Sequence, residues 1–298
     1  MSQTPVASVT LMVSTYNWKE ALALALHSVA GQTRLPDEVV VVDDGSREDT
    51  AELLRAIAKT FPVPLRHVWQ PDDGFRKARI LNRGIAAARG EYVIQFDGDM
   101  LLHPRFVEDH LRLAQPGRFL QGTRIRTTDA ETARLLGGGE PRFGLFVDAY
   151  FRDDRDRSTY HFGRRHHTLR LPWLARIKSR STGHPMGCNV SFWREDLVRV
   201  NGYDERMHGY GSEDLEIDIR LRNAGLRRSQ IKFAALALHL EHRSVSNQDP
   251  SDPELPNNKL MHVTVEQRLV RTEFGLDKHL ADFAQSPADL RTSAGQHA

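Results

Sequence analysis

The stretch VIQFDGDMLLHP, Val93 to Pro104, ends an apolar run with two carboxylates, Asp97 and Asp99, separated only by Gly98. On an extended chain, residues two apart point the same way, so both acids project together. Gly98 has no Cβ, so another group can approach the backbone closely there. Two like charges so near repel unless a cation or hydrogen-bond donors offset them. Hard oxygen ligands suit Mg²⁺ or Mn²⁺, which are commonly held by one or two carboxylates together with substrate phosphates. Taken in isolation, a polar turn in which the two acids cap the next segment is the better explanation, because an isolated D-x-D is common by chance.

The context upstream is regular. SVTLMV (8–13), DEVVVVDDGS (37–46), PLRHVW (64–69) and EYVIQFD (91–97) read as short buried strands. They alternate with the helical stretches 17–31, 47–60 and 75–90. This alternation implies an α/β fold whose central sheet is mostly parallel, with helices on both faces. In such sheets ligands sit at the carboxyl ends of the strands. Ser14, Tyr16, Asp43, Asp44, Asp97 and Asp99 all fall at those ends.

Further along, regular structure is expected over 187–200, 212–225, 230–242 and a helical stretch near 257–275. The middle differs. From Arg142 to Arg180 there are ten Lys and Arg against four Asp, with aromatics interleaved. A segment of this kind is a functional loop near the site or a solvated charged one. Residues 284–298 have the composition of a disordered tail.

The 298 residues, 40% hydrophobic and 27% charged with a net charge of +2, are those of a globular α/β chain. The single cysteine, Cys188, excludes an intrachain disulfide. The start lacks a basic, apolar leader pattern, and no run of 18 apolar residues occurs, so a cytoplasmic protein is expected, with peripheral contact at the inner face of a membrane compatible with the basic middle. Nucleic acid is not an expected partner, because no binding module accompanies the charge.

Two distant elements bear on the acid pair. Glu213 and Asp214 follow the glycine-flanked Tyr210 in GYGSEDLEIDIRL. Ser212 as helix N-cap with acids in the first turn is a complete structural explanation. A carboxylate in a part-buried cleft also serves as a general base for an attacking hydroxyl. In HLEH, His239 and His242 close a predicted strand, and imidazole suits Mn²⁺ better than Mg²⁺.

Six stretches carry a family resemblance: VSTYN (13–17), VVVDDGS (40–46), residues 74–100, GCNVSF (187–192), residues 200–225 and HLEH (239–242). In this order the chain resembles inverting, nucleotide-sugar-dependent glycosyltransferases of the GT-A fold, a Rossmann-like nucleotide-sugar-binding architecture. It is similar to family-2 enzymes, with features shared with chondroitin-polymerase-type and β-1,4-galactosyltransferase catalytic domains. The resemblance implies a catalytic domain over 1–245, with a nucleotide-binding half to about 123, an insert over 124–183 and an acceptor half from 184. A helical extension over 246–283 and the tail follow.

The resemblance also implies roles. Ser14 and Tyr16 would contact the uridine and Asp44 the uracil, with Phe75 and Lys77 near the nucleotide. Asp97, Gly98 and Asp99 would meet ribose, metal and diphosphate, Asp99 being the direct ligand. Gly187 and Asn189 would line the donor-sugar pocket. Tyr210 would pack beside the sugars, Glu213 would hold the acceptor, and Asp214 would be the base. His239 would be the further metal ligand, with His242 as the fallback. The implied reaction moves a hexose or N-acetylhexosamine from a UDP-sugar to a glycan or lipid-linked acceptor with Mn²⁺ or Mg²⁺, in cell-surface polysaccharide synthesis. The rival readings are a sugar-nucleotide pyrophosphorylase, whose GTR would belong after the first strand rather than at 122–124, and a catalytically silent carbohydrate-binding protein.

Overall fold

Strands β1 (Val9–Thr15), β2 (Glu38–Asp43), β3 (Leu65–Trp69) and β4 (Tyr92–Asp97) pair in parallel, and helices α1 (Lys19–Ala30), α2 (Glu48–Ala58) and α3 (Lys77–Ala87) make the crossovers. The structure is a computed structural model and describes residues 6–144, 149–150, 168–177, 185–242, 252–283 and 290. The run of valines in β2 explains why the sheet is covered twice. Val39 and Val41 pack with Leu22, Leu26 and Leu54 of α1 and α2, while Val40 and Val42 pack with Ile80, Leu81 and Ile85 of α3. All four valines are fully buried, and burial of one such side chain is worth about 1.5–3 kcal/mol.

The chain continues with β5 (Met100–Leu102), α4 (Phe106–Leu113), β6 (Arg118–Gln121), β7 (Ile125–Thr127), α5 (Asp129–Leu136), β8 (Ala149–Tyr150) and α6 (Pro172–Ile177). Then come β9 (Asn189–Trp193), α7 (Arg194–Arg199), α8 (Glu213–Asn223), β10 (Arg227–Gln230), β11 (Ala237–His239), α9 (Pro256–Glu266) and α10 (Asp277–Leu280). The main sheet runs β10-β6-β9-β4-β1-β2-β3, with β9 antiparallel to both its neighbours. A second sheet, β5-β11-β7-β8, is built from strands of two or three residues.

That second sheet departs from the sequence reading in two ways. The expected insert over 124–183 opens with β7 and α5, which belong to the fold. Residues 230–242, expected as one strand, contribute only the end of β10 and the short β11. Parts of the basic middle and nearly all of the tail lie outside the described residues. Where described, the middle is anchored: Arg170 makes two bonds to Asp109 of α4 (2.8 and 2.6 Å). Among the described residues, no helix is long and apolar enough to cross a membrane.

Candidate active site

The turn between β4 and β5 carries the two acids, and register decides what they meet. Ser14 lies opposite Asp97 in the β1–β4 pairing, and its hydroxyl donates to Asp97 Oδ1 (2.6 Å). Lys77, at the start of α3, reaches the same oxygen (3.0 Å). Gly98 is filled from within the chain. Its N–H donates to the Ser14 carbonyl (2.7 Å), and an added Cβ would meet that oxygen at 2.9 Å. The close approach expected at Gly98 is therefore that of β1.

Antiparallel pairing of β11 with β5 sets His239 opposite Met100, and the Leu240 N–H donates to the Asp99 carbonyl (2.9 Å). The Nε2 atoms of His242 and His239 then face Asp99 Oδ2, at 3.0 and 3.5 Å. The structure thus brings both histidines, stacked with centroids 5.3 Å apart, to the same carboxylate. His239 Nδ1 lies 2.9 Å from the Leu240 carbonyl, which only accepts, so Nδ1 carries a proton, and in the neutral form of the ring Nε2 presents a lone pair. Burial opposes the Asp99 charge, yet the two histidines in their charged form, together with Lys77, hold its carboxyl down to about 2. Burial pushes His239 down, with Asp99 only partly offsetting it.

Asp99 Oδ1 is buried and has no hydrogen-bond partner among the described residues. An orphaned carboxylate oxygen beside an imidazole lone pair, with one ligand atom from each of the three residues within 4.8 Å of the others, fits a divalent cation.

The second acid pair sits at the start of α8. The Gly187 N–H donates to Asp214 Oδ2 (2.6 Å), and Asp214 Oδ1 has no hydrogen-bond partner among the described residues. A Cβ on Gly187 would stand 2.2 Å from that second oxygen, so any side chain there would displace the Asp214 carboxylate. Gly187 is itself held. Its carbonyl accepts from Gln95 Nε2 (3.0 Å), and Gln95 Oε1 accepts from the Tyr203 hydroxyl (3.0 Å). Beside it, Gln121 bonds both the N–H and the carbonyl of Met186 (each 2.9 Å). Gln95 and Gln121 were not among the residues expected from sequence. The signal for Gln95 is a glutamine inside a largely apolar strand; Gln121, at the end of β6, carries none.

Burial and the Asp214 charge push Glu213 up to about 7. Asp214 is also raised by burial, with Lys77 partly offsetting it. Lys77 is the shared counter-charge. Burial disfavours its ammonium, but Asp97, Asp214 and Glu213 outweigh that and hold it well above the ordinary lysine value.

The remaining expected residues divide. Tyr16 is half-exposed and donates to Asp72 (3.0 Å). Asp44 accepts from the Arg76 N–H (2.8 Å) and Gln70 Nε2 (2.6 Å), which secures the 70–76 loop. Phe75 and the half-exposed Tyr210 meet edge to face, 6.3 Å apart. Asn189 corrects an expectation. It is 0% exposed, donates to the Thr123 and Ala235 carbonyls (2.9 and 3.0 Å), and its Oδ1 lies 3.0 Å from His110 Nε2. Its side chain ties strands together and does not face the cleft. Ser212 is a second correction: it occupies the N-cap position with φ +67° and makes no cap hydrogen bond.

The model of the family described as glycosyl transferase family 2 matches residues 10–194, most of the chain. This chain is a family-2 glycosyltransferase. A model described as the N-terminal domain of galactosyltransferase matches residues 175–243, which include the Glu213–Asp214 pair and both histidines. The glycosyltransferase is 25% identical over 253 residues to chondroitin synthase of Escherichia coli, covering 82% of this chain and 36% of that protein. It is 29% identical over 246 residues to validoxylamine A glucosyltransferase of Streptomyces hygroscopicus subsp. limoneus, covering 76% of this chain and 49% of that one. The chain therefore spans half or less of the length of these relatives. Among solved structures it is similar to GalNAc-T7 with UDP, GalNAc and Mn²⁺ (TM-score 0.61, 15% identity, 88% of this chain and 48% of that one). It is also similar to the mannosyltransferase PcManGT of Pyrobaculum calidifontis with GDP-Man and Mn²⁺ (TM-score 0.55, 19% identity, 98% and 80%). These likenesses establish the GT-A fold.

Proposed function

We propose that this glycosyltransferase moves a hexose or N-acetylhexosamine from a UDP-sugar to a hydroxyl of a glycan or lipid-linked acceptor, by single displacement with inversion, at the cytoplasmic face of a membrane in cell-surface polysaccharide synthesis. The observation that carries the reading is the pairing of two centres across Lys77. One is the Asp99, His239 and His242 cluster; the other is Asp214, with one oxygen anchored and one free of hydrogen bonds within the described chain.

In this reading Ser14, Tyr16, Asp44, Phe75 and Asp97 line the nucleotide side, and Lys77 offsets the charge of Asp97. Asp99, His239 and His242 hold the divalent cation, with Mn²⁺ favoured by the imidazoles, and when bound it supplies Lewis-acid stabilisation of the leaving diphosphate. Tyr210 and Glu213 orient the acceptor. Asp214 Oδ1 takes the proton from the acceptor hydroxyl as that oxygen attacks the anomeric carbon. The carbon–oxygen bond to the diphosphate breaks, and UDP leaves. Holding both substrates in line supplies the proximity contribution.

A screen of UDP-Glc, UDP-Gal, UDP-GlcNAc, UDP-GalNAc and GDP-Man, reading nucleotide release with Mn²⁺, tests the reading. Release from a UDP-sugar that depends on Mn²⁺ and on acceptor is expected. Release from GDP-Man alone would refute the UDP assignment, and binding without turnover of any donor would favour the carbohydrate-binding reading.

Two further outcomes are expected from the base. Gly187→Ala drives a Cβ into Asp214 Oδ1, so transfer should fall about ten- to a hundredfold with the UDP dissociation constant little changed. Steady-state kinetics beside UDP titration check this. The second outcome concerns pH. Glu213 is pushed up to about 7 and the adjacent Asp214 is raised by burial, so acceptor kcat/KM should rise with pH through the Glu213 value of about 7. Glu213→Gln removes the neighbouring charge, and the rising limb should move to lower pH; a limb that stays in place argues against coupling. Stability runs the other way. The folded value of Glu213 lies above its unfolded one, so its contribution is full below the unfolded value and lost as pH rises through about 7.

A further inference from the structure

Neither family match extends past residue 243, yet the segment beyond it reaches the loop that delivers Glu213 and Asp214. That loop is wound through left-handed backbone, with φ of +78° at Gly209, +106° at Gly211 and +67° at Ser212. Glycine adopts such angles freely. Serine does not, and a non-glycine residue stays there only where its surroundings hold it.

The surroundings come from the first turn of α9. Asn257 Nδ2 donates to the Gly211 carbonyl (2.9 Å), and the Ser212 hydroxyl donates to Asn258 Oδ1. Both asparagines are 5% exposed. Asn258 is fixed in turn, its Nδ2 donating to the Asp252 carbonyl (2.6 Å). Two turns along α9, the Thr264 hydroxyl donates to Glu216 of α8 (2.9 Å), which also chelates Arg220 with two bonds of 2.6 Å. At its other end the loop is tied to the nucleotide side, where the Gly209 N–H donates to the Phe75 carbonyl (3.0 Å). Tyr210 is therefore carried on a short strained loop, pinned at one end by the catalytic domain and at the other by the C-terminal segment.

We propose that Asn257 and Asn258 are positioning residues of the transferase, a latch by which the C-terminal segment fixes the 209–212 loop and so sets Tyr210 and the start of α8 for the acceptor. The proposal rests on the reading of Asp214 as base and of Tyr210 and Glu213 as acceptor residues. The latch touches none of the Asp97, Asp99, His239 or His242 groups, so it acts on transfer and leaves nucleotide and metal binding alone.

The test is Asn257→Ala with Asn258→Ala in the full chain, since alanine keeps the helix. Three quantities are read: kcat and acceptor KM, the dissociation constant for UDP with Mn²⁺, and amide exchange over 208–212. Expected are a fall in acceptor kcat/KM of about ten- to a hundredfold, UDP binding within about twofold of the wild type, and faster exchange in the loop. Adding Ser212→Gly, which accepts the left-handed angle unaided, should recover part of the lost rate; a general loss of stability would gain nothing from that glycine. Unchanged exchange, or UDP binding lost in parallel with transfer, would overturn the latch. A wild type that turns over no donor would instead overturn the base assignment, and faster exchange in the variant would still support the latch.

Discussion

Asp214→Asn is expected to lower transfer by about a hundred- to ten-thousandfold while UDP and Mn²⁺ bind as they do to the wild type. The carboxamide has nearly the volume of the carboxylate. Its oxygen can accept the Gly187 N–H that Asp214 Oδ2 accepts now, at 2.6 Å. The chain Tyr203–Gln95–Gly187 behind it then has no reason to move. What changes is the other atom: an oxygen able to take a proton becomes an NH₂ that cannot. The loss should therefore fall on kcat, because an interaction made in the transition state is removed and donor binding is not. Stopped assays of UDP release, paired with calorimetric titration of UDP in the presence of Mn²⁺, separate the two. A variant transferring at the wild-type rate would remove Asp214 as the base, and one that lost UDP binding equally would make it a structural residue.

Much of the nucleotide-binding half was legible in the sequence, and the reason is length. β1 to β4 hold five to seven residues each, and β1, β2 and β4 are buried almost throughout, so these three appear as largely apolar runs bounded by turn residues, while the edge strand β3 is marked by its place in the alternation; the observed ends fall within a few residues of those expected. The second sheet was not legible. β5, β7, β8 and β11 hold three residues or fewer, too few for any periodicity, and long-range pairing defines them. This sheet is nevertheless what sets His239 and His242 at Asp99. The family resemblance joined Asp99 with His239 and kept His242 as the fallback; that both histidines reach the one carboxylate is a consequence of the β5–β11 register. The same limit explains Asn189 and Ser212. The family resemblance implied a sugar contact for Asn189 and residue type suggested a helix cap for Ser212, but the partners that claim those side chains lie at Thr123, Ala235 and Asn258, distant in the chain. Gln95 shows the converse case. Its burial at 0% in the middle of β4 demanded partners, and they turned out to hold the backbone that holds Asp214.

Asp99→Ala is expected to abolish the response to Mn²⁺ and to cut transfer at least about a hundredfold, since the metal's share of charge stabilisation is several kcal/mol and about 2.7 kcal/mol already corresponds to that factor. The alternative is that Asp99, His239 and His242 form a structural ion pair that needs no metal, and the Asp99–His242 distance of 3.0 Å alone is compatible with it. Three features argue the other way. With the His239 Nδ1–H directed at the Leu240 carbonyl, the neutral ring offers its Nε2 lone pair toward Asp99, as a metal ligand does. Burial pushes His239 towards its neutral form. Asp99 Oδ1 has no hydrogen-bond partner among the described residues, whereas a carboxylate spent on structure would engage both oxygens. Melting temperature distinguishes the two readings without any assay of transfer. A ligand at a hundred times its dissociation constant stabilises by about 2.7 kcal/mol, which at about 2.1 cal/mol/K of unfolding entropy per residue raises the Tm of a chain of this size by roughly 4 °C. Wild-type protein should show that rise with Mn²⁺, and Asp99→Ala should not. A wild-type Tm indifferent to Mn²⁺, with or without UDP, would return the cluster to the status of an ion pair.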